Sequence, residues 1–187
     1  LTESALVHAM KAGNVSAFNQ IYKKYVNYFF TIAMRYSNDS AEAEDYVQEA
    51  FVRIYRNINS FNFQGSFEGW MKRILINHCL NGIKKKNPLK NSLDIADCHS
   101  GKVGISVDAI DGINTQDILK AIQTLPNGYR TVLNMYVIEG YSHREIGEAL
   151  GISESSSRSQ LTKARLKLKR ILINSGLLSN GEVRFAS

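Results

Sequence analysis

The stretch from Tyr141 to Arg170, YSHREIGEALGISESSSRSQLTKARLKLKR, constrains this chain more than any other. Ser142 followed three residues later by Glu145 makes a capping box, in which the hydroxyl takes the amide of the third helical residue and the carboxylate reaches back to the cap amide. A helix therefore starts at Ser142. Ile146, Ala149 and Leu150 share one of its faces, and Gly151 tolerates the positive φ at which helices end. Ile152 packs into the corner, and Ser153 caps a second helix in which Ser157, Leu161, Ala164 and Leu168 align inward. The layout is helix-turn-helix, whose second helix enters a DNA major groove with its N-terminal residues at the base edges. The small first turn, Ser155 and Ser156, lets the backbone sit deep. Arg158 and Ser159 suit bases, while Thr162, Lys163 and Arg165, with Arg144 on the first helix, suit the backbone. Taken alone the pattern is ambiguous, because amphipathic basic helices are commonly no more than solvated surface.

Charge along the chain sharpens the reading. Residues 1–87 carry 11 basic and 7 acidic groups, residues 88–114 carry 2 and 4, and residues 115–187 carry 10 and 6. Two basic blocks flanking an acidic one fit two surfaces for a polyanion better than uniform charge kept for solubility. Only Cys79 and Cys98 occur, so there is no disulfide framework, and a reducing cytoplasm is expected. No run approaches the ~20 apolar residues of a membrane span, and no signal-peptide pattern follows Leu1, so no membrane insertion is expected. A start at leucine suggests that an initiator methionine or a short leader is missing.

The N-terminal part reads as four helices. Residues 2–13 end at Gly13-Asn14, and Ser16 to Tyr36 repeat Phe18, Ile21, Tyr22, Tyr25, Phe29, Ile32, Ala33 and Tyr36 at helical spacing. Ser40 is expected to cap a third helix whose core face is Tyr46 or Val47, Ala50, Phe51, Ile54, Tyr55 and Ile58. Asp45, Gln48, Glu49, Val52 and Arg53 are left outward or to one side. A loop, FNFQGSFEGW, leads into a fourth helix from about Ser66 to Lys86, with Trp70, Ile74, Leu75 and Cys79 or Leu80 at core spacing. Its other faces carry Lys72, Arg73, Asn77, Asn81, Lys84 and further lysines. Rings beside a basic helix suit unpaired nucleic acid, with rings stacking on bases and cations tracking the backbone. The plainer reading is that the rings close the core, and Trp70 is read that way.

Residues 88–114 are polar, glycine-containing and without periodicity, a linker. Thr115 is then expected to cap a helix with Ile118, Leu119, Ile122 and Leu125 inward. Pro126 opens another through Ile138, with Val132, Leu133, Tyr136 and Val137 inward and Gly140 at its end. The end of the chain, from Ser175, is read as frayed. The expected fold is all-α: two small helical domains, residues 1–87 and 115–175, joined by an acidic flexible linker of residues 88–114 and followed by a tail of residues 176–187.

Three segments carry a family resemblance. AEDYVQEAFVRIY (Ala43 to Tyr55), FEGWMKRILIN (Phe67 to Asn77) and LPNGYRTVLNMYVIEGYSHREIGEALGIS (Leu125 to Ser153) resemble, in order and spacing, the short extracytoplasmic-function (ECF) sigma factors of the sigma-70 family. The resemblance implies that Asp45, Gln48, Glu49, Phe51 and Arg53 dock on the clamp coiled coil of core RNA polymerase. It implies that the loop Phe61 to Phe67, with Phe63, Gln64, Ser66 and Asn77, captures an unstacked base of the −10 promoter element. Arg73, Asn81 and Lys84 would contact the adjoining duplex, the linker would thread toward the active centre and RNA exit path, and the helix-turn-helix would read the −35 element. An anti-sigma partner is implied for the free form. Two departures stand out: Ser157, where the family often has a small aliphatic residue, and Gln160, where an arginine is common, which would remove one DNA contact and put the usual −35 sequence in doubt.

The chain admits two rival readings. A regulator that binds promoters without polymerase would use residues 1–87 as a sensor or dimerisation domain, but that half offers a basic, aromatic loop and helix instead. For an enzyme there is no phosphate-cradling loop, no paired carboxylates beside a histidine and no nucleophile elbow. No catalytic residue and no cofactor are expected. His78-Cys79 and Cys98-His99 have zinc-ligand chemistry, but Cys79 falls at core spacing and the other pair lies in the linker. His8 and His143 read as ordinary surface or cap-region residues.

Overall fold

The computed structural model describes residues 2–86 and 114–178, and every regular element among them is helical. They fall into two compact units, Leu1–Gly82 and Ile83–Ser187.

The first unit is built from α1 (Glu3–Lys11), α2 (Val15–Met34), α3 (Ser40–Asn57), a 3-10 turn (Ile58–Ser60) and α4 (Phe67–Lys86) as far as Gly82. Leu6, Val7 and Met10 seat α1 on α2, and Glu3 reinforces the seat by binding Lys24 at 2.7 Å and accepting from the Tyr25 hydroxyl. Those two partners, Lys24 first, hold the Glu3 carboxyl below its ordinary range. α1 closes as read from the sequence, with Gly13 at φ 83° and the Gly13 and Asn14 amides on the Met10 and Ala9 carbonyls. Asn14 then caps α2 by accepting from Ala17.

The aromatic stripe of α2 is core, as its spacing suggested: Ile21, Tyr25, Phe29, Ile32 and Ala33 are buried against α3. α3 begins one step from the expected cap, because the Asp39 carboxylate accepts from the Glu42 amide and Ser40 is the first helical residue. An ionised acceptor at that position also meets the positive end of the helix dipole. Tyr55 lies at the exposed margin of α3 rather than in its core. In α4 the buried residues are Phe67, Met71, Leu75, Ile76, Cys79, Leu80 and Ile83, with Trp70 and Ile74 only half-buried. Ser66 caps α4 by accepting from Gly69 at 2.8 Å.

The second unit contains α5 (Thr115–Gln123), α6 (Asn127–Leu133), a π-helical turn (Asn134–Ile138), α7 (His143–Leu150) and α8 (Glu154–Asn174). Asn114, not Thr115, caps α5. α6 runs on into the π turn, where the Glu139 amide reaches the Asn134 carbonyl five residues back. That extra residue per turn rotates the following side chains. Asn134 and Met135 are therefore buried, while Tyr136 and Val137, expected inward, face solvent, Val137 with 53% of its surface exposed. α5, α6 and α7 all pack on α8 through Leu161, Ala164, Leu168 and Leu172. The chain end is more ordered than expected as far as Leu178: Gly176 turns at φ 68°, the Leu177 amide reaches the Leu172 carbonyl, and Leu178 is buried.

The helix-turn-helix forms as the capping signals dictate. Both halves of the Ser142/Glu145 capping box are present, Gly151 sits at φ 71°, and the Ser153 hydroxyl accepts from Ser156. Gly147 is the tight point, since a Cβ there would lie 2.8 Å from the Ile152 carbonyl oxygen, which is backbone and cannot swing away. Alanine normally favours a helix interior over glycine by about 1 kcal/mol. Gly147→Ala is nevertheless expected to destabilise this unit by about 1–3 kcal/mol through forced backbone shift, read as a lower urea midpoint by circular dichroism.

Candidate nucleic-acid interface

Three surfaces carry the residues picked out from sequence. On α3, Asp45, Gln48, Glu49 and Arg53 are exposed together with Val52. Phe51 is not part of this surface. Only 2% of it is exposed, and its ring packs on Tyr22, Phe29 and Phe18 with centroids 4.8, 5.4 and 6.3 Å away. It fixes how α3 sits on α2 and cannot touch a partner in this fold. Beside Gln48 an open groove of about 360 Å³, lined in part by Tyr22, Phe30, Glu44 and Val47, separates the same two helices.

The second surface is the loop before α4. Phe61 and Phe67 are buried, so they support the loop and are not free to stack on a base. Phe63, Gln64 and Ser66 are exposed, although the Ser66 hydroxyl is engaged as the cap of α4. Neighbouring rings form a continuous series: Trp70 and Phe67 stacked at 5.7 Å, Phe67 to Phe61 at 5.1 Å, and Phe61 to Phe63 at 5.1 Å. Phe63 is the one non-glycine residue at positive φ among the described residues, at 62°. That backbone costs an L residue roughly 1–2 kcal/mol, and such strain persists only where the surroundings over-determine it. Arg73, Asn77, Asn81 and Lys84, spaced by four, four and three, line one face of α4, with the first three exposed and Lys84 half-buried.

Sequence reading missed a contribution from α1. The His8 ring stacks on Phe63 with centroids 4.5 Å apart, and Lys11 donates to the Phe61 carbonyl while its ammonium lies 4.9 Å from the Phe63 ring centroid. No local signal marks these two residues, which meet the loop some fifty positions further along the chain.

The third surface is the start of α8. Ser155 and Arg158 are exposed, and Ser156, Ser159, Thr162, Lys163 and Arg165 are half-exposed, as is the expected pattern for an outward face; Arg144 is exposed on α7. The Ser153 hydroxyl gathers those of Ser155 and Ser156 at 2.9 and 2.8 Å. Arg158 pairs with Glu154 one turn back, an exposed pair of the kind worth under about 1 kcal/mol, so its guanidinium is cheaply released to a stronger acceptor. Gln160 is buried and so is not itself part of the outer face.

Ser157 is inward as read, and His143 departs from its reading as an ordinary surface or cap-region residue. Ser157 is fully buried and its hydroxyl lies 2.9 Å from His143 Nδ1, so a polar bridge joins α7 to α8. His143 is buried rather than superficial, stacked at 4.3 Å on Tyr136, whose other neighbour is the Arg165 guanidinium. Burial, then the positive charge of Arg158, lowers its pKa, with Glu154 opposing and Arg165 adding to the shift. The folded state thus resists a proton that the unfolded state accepts, so the second unit should lose stability as pH falls below about 6.5 toward the lowered value. Urea midpoints followed from pH 7.5 to pH 5.5 should fall, and less so in His143→Gln.

Burial also pushes the Cys79 thiol up, the opposite of what a thiolate ligand needs, and among the described residues no three His, Cys, Asp or Glu gather as a metal site. Cys98-His99 lies outside the described residues, as does the acidic linker apart from Asn114. No helix among the described residues is long and apolar enough to cross a membrane.

Two helical units, one ending in a helix-turn-helix with a basic outer face and the other setting one exposed ring, Phe63, beside a basic helix, define a DNA-binding transcription protein. The Sigma-70 region 2 profile matches residues 21–88, and the Sigma-70 region 4 profile matches residues 115–168. The chain is 31% identical over 177 residues to the ECF RNA polymerase sigma factor SigW of Bacillus subtilis, covering 89% of this chain and 94% of that protein. It is 27% identical over 175 residues to the ECF RNA polymerase sigma-E factor of Haemophilus influenzae, covering 88% and 92%. Its fold is similar to that of the sigma factor RpoE of Bartonella quintana, solved with the anti-sigma factor NepR, at TM-score 0.54 and 22% identity over 83% of this chain and 96% of that one. The chain belongs to the ECF sigma factors of the sigma-70 family, and it directs RNA polymerase to promoters. A region 2 match where a free-standing regulator would carry its sensor domain disfavours that rival.

Proposed function

We propose that residues 1–87 bind core polymerase and the −10 element, that residues 115–175 read the −35 element, and that residues 88–114 connect them. The observation that carries this division is the juxtaposition in the first unit of a strained, exposed Phe63 with a supported ring series and a polar, basic face on α4. Melting requires a group that holds an unpaired base. Unstacking a base costs a few kcal/mol, and about 1–3 kcal/mol returns from each ring on which a base stacks, so Phe63 plus hydrogen bonds from Asn77 and Gln64 nearly balance it. Arg73, Asn81 and Lys84 take the adjoining phosphates, with Phe61, Phe67 and Ser66 as the scaffold.

Asp45, Gln48, Glu49 and Arg53 form the polymerase-facing patch. Around the second unit, Arg158 and Ser159 take base edges, Ser155 and Ser156 permit close approach, and Arg144, Thr162, Lys163 and Arg165 hold the backbone. The protein acts in the cytoplasm without catalysis of its own. An anti-sigma partner holds the free form by covering these same faces, a reading supported by the complex in which the similar RpoE was solved.

The test is promoter-specific open-complex formation with purified protein and core polymerase, read by permanganate reactivity of thymines near −10. Reactivity is expected only with both components, and it should weaken in Asn77→Ala and in Asp45→Ala. Duplex binding that ignores core polymerase and leaves thymines unreactive would overturn the division.

A further inference from the structure

Resting on the reading of the loop before α4 as the −10 base-capture element, we infer that α1 belongs to that element, with His8 and Lys11 as its positioning residues. The two side chains sit three apart in the last turn of α1, so they project from one face of it. A basic last turn suits the helix dipole wherever it points, but that effect alone places neither group against the loop. Both turn to the loop instead. The Lys11 ammonium fixes the Phe61 carbonyl and also covers the Phe63 ring, while the His8 imidazole stacks on Phe63 at an interplanar angle of 21°.

Phe63 therefore touches both His8 and Phe61, with Lys11 holding both its ring and the backbone two residues earlier. These contacts supply the over-determination that a phenylalanine at φ 62° requires. The unused alternative, Phe63 relaxing to negative φ, would withdraw the ring from its place beside Phe61 and leave the capture site unformed. α1 is itself rigidly seated through Leu6, Val7 and Met10, so the loop is referenced to the core of the unit and not merely to its own ends. The inference is that base selection at −10 depends on α1, although the base itself meets the loop and α4.

The test uses holoenzyme assembled from the full chain and core polymerase on fork-junction DNA with the non-template strand unpaired over −10. The readout is the ratio of affinities for the preferred base and for a substituted base at the captured position, with core affinity and melting temperature measured in parallel. His8→Ala and Lys11→Met should each lower that ratio about 5- to 10-fold, the size of one lost stacking or orienting contact, while core affinity stays unchanged. His8→Phe should restore the ratio, because it keeps the ring and not the imidazole nitrogens; loss of ratio in His8→Phe equal to that in His8→Ala would overturn a stacking role. If Asn77→Ala and Phe63→Ala collapse the ratio while His8→Ala and Lys11→Met preserve it, the role of α1 is overturned and the capture loop stands. If none of the four changes it, the capture loop falls as well.

Discussion

Phe51→Ala is expected to cost the first unit about 3–5 kcal/mol, the range for truncating a fully buried phenylalanine. Against a total of about 5–15 kcal/mol for a domain, that is enough to populate unfolded protein at 37 °C. The ring is the hub at which Phe18, Tyr22 and Phe29 of α2 meet α3, so its loss leaves a void that three rigid aromatics cannot collapse to fill. Trp70 is the chain's single tryptophan and lies in this unit, so its emission during urea unfolding isolates the effect. Asp45→Ala, on the exposed side of the same helix, should change that midpoint by no more than about 0.5 kcal/mol while weakening polymerase binding. The pair separates what α3 does for the fold from what it offers a partner. Loss of polymerase binding in Phe51→Ala with an unchanged midpoint would contradict the buried placement.

Arg130→Ala should produce a comparable loss, about 3 kcal/mol, in the second unit. Arg130 is 1% exposed, and its guanidinium donates to the Gln123 carbonyl at 3.1 Å and to Asn127 Oδ1 at 2.8 Å. It thereby ties the C-terminal end of α5 to the first turn of α6 across Pro126. Alanine removes two charge-assisted bonds and leaves a void at a buried position, whereas methionine keeps the volume and should recover part of the loss. Lysine should recover little, because a point charge cannot reproduce the two-pronged geometry. Far-UV circular dichroism of the three variants, with Trp70 emission as the control for the first unit, orders them as methionine, lysine, alanine.

The positions that sequence located and those it missed differ in a consistent way. The Ser142/Glu145 box, Gly151 and Ser153 are local signals, since each satisfies a backbone group within four residues of itself, and all three formed as read. The caps at Asp39 and Asn114 were displaced by one residue because Asp-Ser and Asn-Thr each offer two competent acceptors, and the choice between them depends on which backbone the rest of the helix imposes. Tyr136 and Val137 were assigned inward by a 3.6-residue period that the π turn interrupts. Nothing in a periodic pattern marks such a turn.

Of the candidate site, the outward sets on α3, α4 and α8 were legible because amphipathic helices sort polar residues by phase. Phe51, Phe61 and Phe67 were not correctly separated from them, since a motif match carries residues that hold a site along with those that form its surface. His143 with Ser157, and His8 and Lys11 with the loop before α4, were illegible for a stronger reason: each depends on a partner brought close by a turn or by the packing of α1 on α2.

By itself, then, the amino-acid sequence determined the helices, the capping of the helix-turn-helix and the family, all of which follow from interactions within a few residues or from motifs in order along the chain. Only the tertiary structure decided which aromatics are core and which are surface, where the buried polar groups find partners, and that α1 holds Phe63 in its strained backbone. Those outcomes depend on contacts between segments far apart in the chain, whose free energy comes from desolvation and packing that no local pattern encodes.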